Sequence, residues 1–97
     1  MTTKNVSITV KTFAAIREVA DAAIVLDIAE GATIRMLLDM LTARYGGLGG
    51  IIFAEAGELR NKVNILKNGR NVHFLKGLDT EIEDGDIIAL FPPVAGG

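Results

Sequence analysis

No cysteine and no tryptophan occur in these 97 residues, histidine occurs once, at His73, and proline occurs only as the neighbours Pro92 and Pro93. Without cysteine there is no disulfide framework, no thiolate nucleophile, no zinc knuckle and no iron–sulfur cluster. With one histidine, any metal site would be nearly all carboxylate, and any histidine-based triad would rest on His73 alone. An excess of charge of one sign is missing too: 10 basic residues face 12 acidic ones, for a net charge of −2. No basic stripe is available to meet a phosphate backbone, so no nucleic-acid partner is expected. Long hydrophobic runs are absent from the first thirty residues, where Lys4, Lys11, Arg17, Glu18, Asp21 and Asp27 interrupt every apolar stretch. Neither a signal peptide nor a membrane span fits there, so a cytoplasmic location without membrane association is expected. What remains is 49% apolar and 23% charged. That balance is the one of a soluble globular chain, and the length suits one core with no room for a second.

Period-2 alternation marks the first strand: Val6, Ile8, Val10 and Thr12 share one parity, Asn5, Ser7, Thr9 and Lys11 the other. Phe13 follows on the polar parity. Residues 14–22 lose the alternation and suggest a loop with one helical turn around Ile16 and Val19. Ile24, Leu26 and Ile28 restore it against Val25 and Asp27, giving a second strand, and the nine-residue connection permits an antiparallel pair. Thr33 is a natural N-cap. Ile34, Leu37, Leu38, Leu41 and Tyr45 then follow at helical spacing, with Arg35, Asp39, Thr42 and Arg44 opposite, an amphipathic helix laid on the sheet. Gly46 and Gly47 can supply a left-handed C-cap. Residues 48–53 suggest a brief second helical turn, and residues 54–61 a polar connection.

Asn68 and Gly69 form the strongest short hairpin signal in the chain, joining a strand over residues 63–67 to a return strand over 70–72. The acidic turn Glu83, Asp84, Gly85, Asp86 leads into Ile87, Ile88, Ala89, Leu90 and Phe91, apolar on both parities, as in a central strand covered on both faces. The first and last apolar strands are the candidates for the inner positions. A hairpin, a helix and a second hairpin-like half form an α+β, β-grasp (ubiquitin-like) plan, a mixed sheet with one main helix across one face. Residues 1–91 are expected to be one β-grasp domain and 92–97 an extended, flexible, reactive C-terminal tail.

That tail reads Pro92, Pro93, Val94, Ala95, Gly96, Gly97. Two successive prolines forbid a ladder and favour polyproline geometry, so these six residues should leave the sheet unpaired and reach roughly 20 Å. They could be a frayed terminus. Alternatively the terminal carboxylate is itself the reactive group. A carboxylate is a poor acyl donor until it is adenylated, and an adenylating enzyme must admit it through a narrow channel. Gly96 and Gly97, without Cβ atoms, fit such a channel.

The opening VSITVKTFAAIREVA, the helix EGATIRMLLDMLTARYG, the stretch GELRNKVNILKNGRNV and above all the terminal block EDGDIIALFPPVAGG resemble the MoaD/ThiS group of ubiquitin-like sulfur carriers. The likeness is strongest to the small archaeal modifier proteins; the shorter ThiS branch usually lacks the two prolines. The resemblance implies a non-enzymatic protein modifier and sulfur carrier that binds no cofactor itself. A ubiquitin-activating-type (MoaB/ThiF-like) enzyme, using MgATP, would adenylate Gly97. The acyl-adenylate would then become a thiocarboxylate for sulfur transfer, or be attacked by a target-protein lysine to give an isopeptide bond. Gly96 gives backbone access, and Pro92, Pro93, Val94 and Ala95 supply reach and a binding segment. The alternative is the small subunit of molybdopterin synthase in molybdenum cofactor biosynthesis, whose tail would insert into the large subunit. A monomer is expected.

A carrier needs a recognition surface besides its tail. Ile88 and Leu90 should face the helix, which leaves Ile87, Ala89 and Phe91 on the opposite sheet face, where Leu66 and Phe13 can join them. Such a patch would meet a partner, unless a loop or the segment around Phe74 covers it. His73 reads as a turn residue beside Phe74, and Glu81, Glu83, Asp84 and Asp86 as a solvated acidic turn without EF-hand spacing. Asn68, Gly69 and Arg70 read as turn chemistry alone.

Overall fold

A computed structural model of the chain describes residues 4–54, 57–60 and 62–93. The order is β1 (Asn5–Thr12), a 3-10 turn (Ala14–Glu18), β2 (Ala23–Ala29), α1 (Ile34–Arg44), α2 (Leu48–Ile52), β3 (Asn64–Lys67), β4 (Arg70–Asn71), 3-10 turns at Val72–Phe74 and Gly77–Asp79, and β5 (Ile87–Phe91). The strands form one mixed sheet in the order β2-β1-β5-β3-β4. β1 pairs antiparallel with β2 and parallel with β5; β5 pairs antiparallel with β3, which closes on β4. The first and last strands therefore lie side by side in the interior of the sheet, as their apolar character demands.

The alternation in β1 becomes burial: Val6, Ile8 and Val10 are buried, as are Ile24 and Ile28 of β2, Ile65 of β3, and Ile88 and Leu90 of β5. All pack in one core with Ile34, Leu37, Leu38 and Leu41 of α1. The hydroxyl of Thr33 accepts from the Met36 amide at 3.4 Å, satisfying one orphan donor of the first turn. α2 adds Leu48 and Ile52 to the same core. This is the β-grasp architecture, an α+β fold with its main helix across one sheet face.

Three expectations change. β5 is central but covered on one face only: Ile88 and Leu90 are buried, whereas Ile87 is 43% exposed. Apolar residues on both parities cannot tell a second covering layer from a sticky surface. The return strand is shorter than residues 70–72, because Asn71 accepts from the His73 amide with its side chain and turns Val72 into a 3-10 segment. Finally, α1 ends at Tyr45 in extended geometry, and neither Gly46 nor Gly47 takes a positive φ. Gly47 is needed for another reason: a Cβ there would lie 2.7 Å from Val19 Cγ1.

Candidate functional site

The carboxyl end of β5 is where the expected reactive tail begins, and two neighbouring strands fix its position. Lys11 and Thr12 of β1 lie beside Ala89 and Leu90, and Asn64 of β3 lies beside Phe91. Phe13, the first residue after β1, stacks on Phe91 with ring centroids 4.3 Å apart and planes 6° from parallel. Arg17 sits 5.0 Å from the Phe13 centroid and donates from Nε to the Thr12 carbonyl at 2.6 Å. That bond holds a guanidinium against the ring, a cation–π contact beside the aromatic pair.

Beyond Phe91, Pro92 is buried and Pro93 half-buried. Pro92 continues the inward parity of Ile88 and Leu90, so the chain is still in contact with the body where a free tail was expected. Pro93 lines a shallow groove with Ala54, Glu58, Leu59 and Arg60. One wall of that groove is held by the Phe53–Leu59 bridge and by the bond from the Ala54 amide to the Glu58 carbonyl. Arg60 anchors it, its amide donating to Ile52 O at 2.8 Å and its Nε to Gly50 O at 3.2 Å. Val94, Ala95, Gly96 and Gly97 lie outside the described residues. Four residues beyond Pro93 reach about 13 Å.

The sheet face turned away from α1 brings together all five residues expected there. Ile87, Ala89 and Phe91 of β5 share it with Leu66, which is paired with Ala89, and with Phe13. Phe74 does not cover this face: it lines a separate cleft with Val63, Ile65 and Val72, whose side chains belong to the core side, and is itself 80% exposed. The patch has one member missed above. Val25 of β2 sits opposite Thr9, which in turn neighbours Ile87, and it is 72% exposed. Its outward parity was readable from Ile24 and Ile28. What was lacking was the strand order that sets β2 two strands from β5.

The acidic turn is more built than its sequence suggested. Asp86 is only 5% exposed; its Oδ1 accepts from Asn68 Nδ2 and its Oδ2 from the Glu83 amide, both at 2.8 Å. Lys67 Nζ reaches Glu83 Oε1 at 2.8 Å, Asp86 Oδ2 at 3.4 Å and the Glu81 carbonyl at 2.9 Å. The hydrogen bond to Glu83, helped by the charge of Asp86, raises the Lys67 pKa against the opposing effect of burial. Asp84 accepts from the Ser7 amide at 2.8 Å. Asn68 therefore does more than turn the chain: Asn68 Oδ1 also accepts from the Ile87 amide, tying the hairpin to the first residue of β5. His73 is an exposed turn residue, edge-on to Phe74 at 5.4 Å.

Residues 10–97 match the ThiS family. The chain belongs to that family. It is 45% identical over 86 residues to small archaeal modifier protein 3 of Haloferax volcanii, covering 88% of this chain and 92% of that protein. To the sulfur carrier protein CysO of Mycobacterium tuberculosis it is 38% identical over 71 residues, 71% of this chain and 76% of that one. The crystal structure of small archaeal modifier protein 1 from H. volcanii superposes with a TM-score of 0.82 at 36% identity, covering 94% of this chain and 99% of the other. These ThiS-family relatives are small ubiquitin-like modifiers and sulfur carriers. The terminal block that ends in Gly97 lies inside the matched span.

Proposed function

We propose that this ThiS-family chain is a ubiquitin-like protein modifier and sulfur carrier, and that its working group is the main-chain carboxylate of Gly97. A partner enzyme of the activating kind, holding MgATP, adenylates that carboxylate. Attack on the adenylate by a hydrosulfide that a partner supplies displaces AMP and gives a thiocarboxylate, whereas attack by a lysine amine displaces AMP and gives an isopeptide bond. The observation that carries the reading is the family match through the last residue, combined with a central strand, β5, that delivers the chain end past the Phe13–Phe91 stack. The apolar face around Ile87, Ala89, Phe91, Leu66, Phe13 and Val25 is the surface on which the activating enzyme docks, since a contiguous patch of this kind serves recognition more than stability.

Mass spectrometry of tagged protein recovered from its own cells tests this. A sulfur-for-oxygen exchange at the C-terminus and lysine adducts are the expected products. Lys76 is the last tryptic site, so a conjugate carries the whole remnant of residues 77–97. Deleting Gly96 and Gly97 is expected to abolish both products; activation or conjugation surviving that deletion sinks the proposal.

A further inference from the structure

A second concavity has no part in the function proposed above. It is a cleft of about 410 Å³ running from Leu59 and Arg60 along β3 to the Val72–Phe74 turn. Its floor and walls are apolar, with Leu59, Val63, Val72, Phe74 and Leu78, and its charged lining residues, Arg60 and Lys62, are both cationic. The volume falls in the range of roughly 300–1,000 Å³ that holds small ligands. In a chain of net charge −2, a concavity lined by two cations and no carboxylate favours an occupant that is apolar and carries an anion.

We propose that this cleft is the docking site of the chain's own C-terminus, residues 94–97, with the Val94 side chain on the apolar wall and the terminal carboxylate against Arg60 and Lys62. Three observations carry it. Leu59 and Arg60 line both the cleft and the groove that contains Pro93, so the last described residue of the chain stands at the mouth of the cleft. The span fits the near wall: Asn64 pairs with Phe91, so the antiparallel register sets Val63 and Lys62 beside Pro92 and Pro93, one strand away at ~4.8 Å and well within the ~13 Å that four residues reach. The chemistry fits as well. The segment begins with one apolar side chain, ends in a carboxylate and has no other charge. Among the described residues, neither Arg60 nor Lys62 is engaged in an ion pair. A docked tail and a tail inserted into a partner exclude each other, so the cleft sets the fraction of chains ready for partner insertion.

The test is made on the full chain in isolation, so it does not depend on whether Gly97 is ever adenylated. Nuclear Overhauser contacts from the Val94 methyls to Leu59 and Val63 are expected, at intensities that do not change on tenfold dilution. Lys62→Glu, at an exposed position, and Leu59→Ala, which shortens the near apolar wall, are each expected to weaken the contact to Val63 while leaving the amide shifts of α1 in place. Absence of the contacts in the unmodified chain overturns the proposal. So do contacts that fade on dilution, which would assign the cleft to the tail of a second copy, and contacts that survive both substitutions undiminished.

Discussion

Lys67, the last residue of β3, and Asn68, the first of the turn after it, hold chain segments that are far apart in sequence. The Lys67 side chain is only 13% exposed, and its ammonium group is enclosed by Glu83, Asp86 and the Glu81 carbonyl. Its folded-state pKa is raised, so the stabilisation is fully present below the ordinary lysine value of 10.5 and is lost as pH rises through the higher folded value. Thermal melting should therefore decline more steeply above that pH in the unmodified chain than in Lys67→Met. The same enclosure makes Lys67 the poor nucleophile among the five lysines: Lys4, Lys11, Lys62 and Lys76 are exposed. An amine-reactive reagent read out by peptide mapping should label those four and spare Lys67, and Asp86→Asn should lift the protection. Asn68→Ala removes two side-chain hydrogen bonds, one to a buried carboxylate, and places alanine at φ 50°. A loss of about 2–3 kcal/mol in denaturant unfolding is expected, well above an ordinary surface change. None of this was visible in the sequence, where Asn68 and Gly69 signal only a hairpin. The partners of a buried polar group come from chain segments far apart, and no local pattern announces them.

Among the elements, what was legible is what periodicity and capping dictate. β1, β2, α1, the Asn68–Gly69 hairpin and the inner place of β5 follow from alternation, helical spacing and turn chemistry, because each is a local bargain between burial and backbone hydrogen bonding. What was not legible depends on neighbours. Gly46 and Gly47 look alike in sequence, yet only at Gly47 does another element intrude. Gly47→Ala should lower the melting temperature through the clash with Val19, whereas Gly46→Ala, with open space around it, should be near neutral. Likewise Pro92 was legible as a ladder breaker but not as a buried residue. The candidate site shares this division: the order Phe91, Pro92, Pro93 was read from sequence, while the Phe13 stack needed the register of β1 against β5.

The whole molecule has two unlike sheet faces. One is sealed by α1; the other leaves Val25, Ile87 and the half-buried Ala89, Phe91, Leu66 and Phe13 uncovered. Val25→Asp should leave stability within ~0.5 kcal/mol because the side chain is already exposed. Binding to the activating enzyme, measured by titration calorimetry, should nevertheless weaken on the order of tenfold, or about 1.4 kcal/mol. Phe91→Ala should weaken the same binding and also cost about 1 kcal/mol of stability through loss of its stack with Phe13. An unchanged affinity in both variants would remove this face from recognition.

The parallel pairing of β1 with β5 has a mechanical consequence. A chain attached through its C-terminus and pulled from its N-terminus is loaded along two adjacent strands that run in the same direction. Their hydrogen bonds then bear the force together, in shear, and cannot be peeled one after another from an end. Resistance to such traction is governed by the unfolding rate and not by equilibrium stability. A conjugate dragged by its target would keep this small body folded long after a hairpin-terminated domain of equal stability had been unzipped.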